Sequence, residues 1–161
     1  MNNGLKILLV LLLLAGPAAA QQVRVVKLPA VEQLLRGRSD TTYVLNFWAT
    51  WCGPCVQELP HFERVRAAHA GQKVRVVLIS LDFASQLDKK VRPFVQRHQL
   101  ASAVWLLNET DPNAYIDRID PGWSGALPFT LLINPARGQR KAFERPLTQA
   151  ELETELRAFG H

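Results

Sequence analysis

The stretch NFWATWCGPCVQELP, Asn46–Pro60, holds both cysteines of this 161-residue chain, Cys52 and Cys55, with two residues between them. Thiols that close can supply part of a metal site, staple a turn, or pass electrons to another molecule. The residues before them, Thr41–Thr50, are aromatic and β-branched and read as a central strand. The residues after them, from Gly53 to about His69, carry Leu59, Phe62 and Val65 at helical spacing, with Gly71 as the stop. The pair therefore falls where a strand turns into a helix. A helix N-terminus offers unpaired N–H groups and partial positive charge, and both stabilise a thiolate. In a Cys-x-x-Cys at such a place the thiol pKa falls from ~8.5 to ~7 or lower. Cys52 then reads as the nucleophile and the exposed member of the pair. Cys55, one turn into the helix, reads as the thiol that attacks the mixed disulfide and releases the product.

The other two uses fit less well. A structural zinc site wants four ligands. The chain has no third cysteine, and His61, His69, His98 and His161 form no second close pair, so no metal is expected. A bridge between Cys52 and Cys55 closes so small a ring that it removes little chain entropy, which makes it a poor staple.

The N-terminus differs from the rest. Residues 1–20 have one charge, Lys6, then an apolar run from Ile7 to Ala15, the breakers Gly16 and Pro17, and Ala18–Ala20. This is the layout of a secretory signal, cleaved after Ala20. The run is shorter than the ~20 apolar residues of a spanning helix, which disfavours an uncleaved anchor. The expected organisation is a signal peptide over residues 1–20 and one domain over 21–161, exported and periplasmic or otherwise extracytoplasmic, where disulfides form and persist. The net charge of +5 becomes +4 without Lys6. The basic residues are scattered, with no basic run interleaved with aromatics, so no nucleic-acid partner is expected. Without an extra interface element the default assembly is a monomer.

Along the remaining chain, Val23–Leu28 reads as a short strand and 29–37 as a helix with Pro29 near its start and Gly37 past its end. Lys73–Asp82 is an almost unbroken apolar run, a strand covered on both faces. Residues 84–100 are helical in pattern, with Ser85 as the cap and Pro93 as an interruption. Ala103–Asn108 reads as a strand and Asp111–Pro112 as a helix start. Residues 129–134 and 140–145 read as strands around a turn. Thr148 and Glu151 have capping-box spacing before a last helix with Leu152, Leu156 and Phe159 in its stripe. Strands alternating with helices imply an α/β protein, a central mixed sheet flanked by helices.

FWATWCGPC resembles the active-site segment of the thioredoxin superfamily, and the element order from about Val23 to Phe159 is similar to the thioredoxin fold. Export, the segment LNFWATWCGPCVQELP with Asn46 where cytosolic thioredoxins have an acid, and an extra helix-strand insertion near Ser85–Asn108 resemble the TlpA/ResA-like exported thiol:disulfide oxidoreductases. The resemblance implies a redox-active Cys52–Cys55 disulfide and no other cofactor. It implies that Pro60 kinks the helix and that Pro128 follows a cis peptide bond, where Leu127 and Pro128 meet a substrate chain beside Trp51, Gly53 and Pro54. Glu58 matches an acid near the cysteines, with an implied role in moving a proton to or from them. A solvent-facing Glu58 is the competing reading. Leu127 departs from the smaller or β-branched residue usual before that proline. Gly53–Pro54 and the resemblance imply a reductase of protein disulfides, with cytochrome c maturation as one possible task. A membrane electron donor would re-reduce it. Two other readings stay open: a thiol peroxidase of peroxiredoxin type, which wants Thr where this chain has Ala49, and a non-catalytic binding module of the same fold.

Overall fold

A computed structural model describes residues 22–161. The expected signal peptide over residues 1–20 lies outside them. Six strands form one sheet in the order β1-β4-β3-β2-β5-β6. They are β1 (Arg24–Val26), β2 (Thr42–Trp48), β3 (Val74–Ser80), β4 (Ala103–Leu107), β5 (Phe129–Asn134) and β6 (Gln139–Phe143). The helices are α1 (Leu28–Arg36), α2 (Gly53–Ala68), α3 (Arg92–Arg97), α4 (Ile116–Ile119) and α5 (Gln149–Ala158). Strands β1 to β4 run parallel, whereas β5 is antiparallel to β2 and β6 to β5. The sheet is thus mixed and flanked by helices, as the sequence predicts. Strand β4 lies between β1 and β3, so the inserted helix-strand unit widens the sheet from within.

β2 is the central strand, paired with β3 from Thr42↔Val74 to Trp48↔Ser80 and with β5 from Tyr43↔Ile133 to Phe47↔Phe129. Its side chains alternate between faces. Val44 and Trp48 join Leu59, Phe62, Val65, Leu132 and Leu156 under α2 and α5. Leu45 and Phe47 join Val31, Ile79, Leu131 and Ile119 under α1 and α4. Asn46 lies between Val44 and Trp48 on the α2 side, and this alternation brings a polar residue beneath that helix.

Pro93 leaves its mark on the insertion. A 3₁₀ turn at Ala84–Gln86 runs into a π-helical turn at Leu87–Val91, and only then into α3. Arg92 N–H bonds Leu87 O, five residues back, and Pro93 has no N–H to continue an ordinary ladder. Ser85 does not cap this segment as expected. Phe83 holds the cap position with no side-chain bond, because the 3₁₀ turn begins earlier than the apolar pattern indicates. The capping box at Thr148 and Glu151 forms as the spacing predicts.

Phe62, fully buried between α2 and the sheet, ties the helix that carries the cysteines to the core. Truncation to alanine should cost roughly 3–5 kcal/mol. Urea unfolding of Phe62→Ala is expected to show a lower midpoint at unchanged slope.

Candidate active site

β2 ends at Trp48, and Cys52 N–H bonds Ala49 O at 3.1 Å, closing the turn into α2. Cys52 is itself the N-cap of α2, with extended φ/ψ, and its Sγ accepts a hydrogen bond from the Cys55 N–H at 3.3 Å. The sulfur therefore occupies the position a capping Ser or Asp oxygen takes at other helices, where amides and the helix dipole favour negative charge. The two cysteines are joined in a disulfide. Cys55 is fully buried, and Cys52 is only 6% exposed. The expectation of an exposed Cys52 is corrected in this oxidised form: the bond to buried Cys55 draws Sγ against the helix end. The approach is nonetheless open. A Cβ built at Gly53 meets nothing within 4 Å, and Trp51 is 67% exposed.

Pro128 meets the same place from the other side. The Leu127–Pro128 peptide is cis. Phe129 opposes Phe47 in the β2–β5 register, so the residue before it falls level with the end of β2. Trp123, stacked on Phe129 with centroids 4.5 Å apart, holds the preceding loop to the sheet. Its Nε1–H donates to Ala126 O at 2.8 Å. The Glu144 carboxylate accepts from the backbone N–H of Ser124 and of Ala126 at 3.2 and 3.1 Å, and from the Ser124 hydroxyl. These contacts fix the approach to Leu127.

Trp51, Cys52, Gly53, Pro54 and Leu127 share a groove of about 820 Å³. The far wall comes from the insertion and its flanks, including Leu81, Asp82, Phe83, Leu107, Tyr115 and Ile116. The sequence does not single out Asp82 or Phe83. Asp82 closing an otherwise apolar strand run is the one signal that marks them.

Glu58 lies behind the cysteines, three residues beyond Cys55 and on the same side of α2. It is 2% exposed, so it is not a solvent-facing helix glutamate. Oε1 accepts from Asn46 Nδ2 at 2.8 Å and Oε2 from Leu147 N–H at 2.8 Å. Asn46 Nδ2 also donates to Thr130 Oγ1 at 3.1 Å. Burial pushes the Glu58 carboxyl up to about 7, against the opposing pull of the Leu147 and Asn46 hydrogen bonds. A cleft of about 190 Å³, lined by Pro54, Gln57, Glu58, His61 and Pro146–Thr148, borders this carboxyl and shares Pro54 with the large groove. Among the described residues no group of three or more His, Cys, Asp or Glu is placed to hold a metal ion, and no helix is long and apolar enough to cross a membrane.

A carboxyl raised from 4.5 to about 7 keeps its proton in the folded protein after the unfolded chain has lost it. Stability therefore falls as pH rises from about 4.5 to about 7 and levels off above, by on the order of 3 kcal/mol. Denaturant titrations of the oxidised protein across that window are expected to show this decline, and Glu58→Gln should flatten it.

Three relatives place the chain among known proteins. It is 28% identical over 110 residues to the sporulation thiol-disulfide oxidoreductase A of Bacillus subtilis, covering 68% of this chain and 63% of that one. It is 31% identical over 110 residues to the thiol-disulfide oxidoreductase ResA of Oceanobacillus iheyensis, covering 68% and 53%. The chain thus spans less than two thirds of the length of either. In fold it is similar to the crystal structure of a thioredoxin-related protein from Neisseria meningitidis serogroup B, with TM-score 0.66, 23% identity, and 78% and 90% of the two chains covered. Residues 19–156, which take in the cysteine pair, the insertion and the Pro128 loop, match the AhpC/TSA family, and the chain belongs to that family of thioredoxin-like proteins.

Proposed function

We propose that this protein is an exported thiol:disulfide oxidoreductase that reduces disulfides in other proteins. The observation that carries the proposal is the Cys52 sulfur, seated as the cap of α2 and opening on the groove beside Leu127. In the reduced protein the Cys52 thiolate attacks one sulfur of a substrate disulfide, forming a mixed disulfide and releasing a substrate thiolate. The Cys55 thiolate then attacks the Cys52 sulfur, releases the second substrate thiolate and closes the Cys52–Cys55 bond. Two electrons pass to the substrate, and its two sulfurs each take up a proton. Trp51, Gly53, Pro54 and Leu127 form the surface that meets the substrate backbone, and Pro128, buried behind Leu127, sets the turn that presents it. Glu58, with a carboxyl near 7 one turn below Cys55, moves the proton between that thiol and solvent.

The signal-like residues 1–20 support export and a processed domain beginning at residue 21. An oxidising compartment requires an electron source, and a membrane electron-transfer protein re-reduces the Cys52–Cys55 disulfide. The substrates are exported proteins, the haem-attachment cysteines of apocytochromes c among them. Ala49, fully buried and without a hydroxyl, sets the chain apart from the peroxide-reducing alternative.

In the dithiothreitol-driven reduction of insulin, Cys52→Ala is expected to be inactive. Cys55→Ala is expected to accumulate mixed disulfides with its substrates, visible as thiol-sensitive adducts on a non-reducing gel. Full activity in Cys52→Ala, or hydrogen peroxide consumed faster than insulin is reduced, overturns the proposal.

A further inference from the structure

The groove beside Cys52 contains a carboxylate that takes part in no bond or proton step of disulfide exchange, although it steadies the turn before Cys52 through Thr50. Asp82, 3% exposed, follows β3 and forms part of the groove wall. Its oxygens accept from Thr50 N–H at 2.9 Å, Thr50 Oγ1 at 2.6 Å and Ser80 Oγ at 2.8 Å. All three donors are neutral, and among the described residues no Lys, Arg or His forms an ion pair with it. A buried carboxylate held only by neutral donors carries a desolvation cost that a cation would offset.

The surroundings favour a cation that arrives with the substrate. The chain has 19 Lys and Arg against 14 Asp and Glu, yet the groove lining contains two acids, Asp82 and Glu109, and no base. Glu109 is already answered by Lys27 at 3.7 Å and by Leu28 N–H. Asp82 is the acid left without a counter-charge. Trp51 and Phe83, 67% and 72% exposed, line the same groove. Their faces suit both an apolar side chain and a guanidinium. A volume of about 820 Å³ exceeds what a single side chain fills and falls in the range that encloses a ligand of several groups.

We infer that this groove selects polypeptide substrates with an Arg or Lys within a few residues of the reactive cysteine, the base facing Asp82 while an adjoining apolar side chain packs on Trp51 and Phe83. The inference rests on the reductase reading. Asp82 is then a specificity residue on the insertion side of the site, where the wall is built by elements that follow β3.

The test uses three disulfide peptides that differ only in having Arg, Gln or Glu beside one cysteine. Their second-order rates of reduction by the reduced protein are compared. The Arg peptide is expected to react about 10-fold faster than the Glu peptide. That ratio should shrink as salt rises from about 0.05 to about 0.5 M. In Asp82→Asn the ratio is expected to fall to within about twofold, and Phe83→Ser should slow all three peptides together. Equal rates for the three peptides on the unaltered protein, or a preference that persists in Asp82→Asn, overturns the inference and leaves the reductase standing. Should Asp82→Asn fail to fold, the Arg-to-Glu ratio and its salt dependence in the unaltered protein decide. Failure to reduce any peptide defeats the reductase reading itself.

Discussion

The chemistry of this protein is set by where β2 is allowed to stop. The strand is hydrogen-bonded along its length to β3 on one side and β5 on the other, so it cannot slide. Leu81 N–H holds Trp48 O at 2.8 Å, and Asp82 holds Thr50. The turn into α2 is fixed from both flanks, and Cys52 has one position available, the cap of the helix. Leu127 and Pro128 reach the same point because β5 is locked to β2 in register. The sheet acts as a jig that holds the cap sulfur, the helix and the Pro128 loop in one geometry.

Within the first two turns of α2 the electrostatics reverse sign. At the helix start the amides and dipole favour an ionised sulfur. Six residues beyond that sulfur, burial disfavours an ionised carboxyl and brings Glu58 up to about 7. A thiol and a carboxyl, whose ordinary proton affinities lie far apart, are thus pushed toward each other by opposite causes. Asn46 adjusts this balance: as an amide it donates to Glu58 and Thr130 without placing a second acid beside the first.

The parts of this structure written in short-range spacing were legible in the sequence. The order of strands and helices, the Thr148–Glu151 capping box and the interruption at Pro93 all depend on residues within a few positions of one another. So does the location of Cys52 and Cys55 at a strand-helix turn. What depends on distant residues was not legible. Whether Glu58 faced solvent or core was decided by Asn46, 12 residues away, and Leu147, 89 residues away. Asp82 and Phe83 gain meaning only when the insertion closes a groove against Cys52 and Leu127. Ser85 had the chemistry of a cap, but the backbone began its turn elsewhere.

The amide of Leu147 draws the C-terminal helix into these events. That N–H precedes the cap of α5 and points at the Glu58 carboxyl. A charged acceptor binds an amide hydrogen more strongly than a neutral one. Each time Glu58 gains or gives up its proton, the anchor of α5 loosens or tightens. A backbone nucleus about ninety positions downstream in the chain thus serves as a built-in gauge of proton occupancy behind the cysteines, readable by magnetic resonance without a label at the sulfurs.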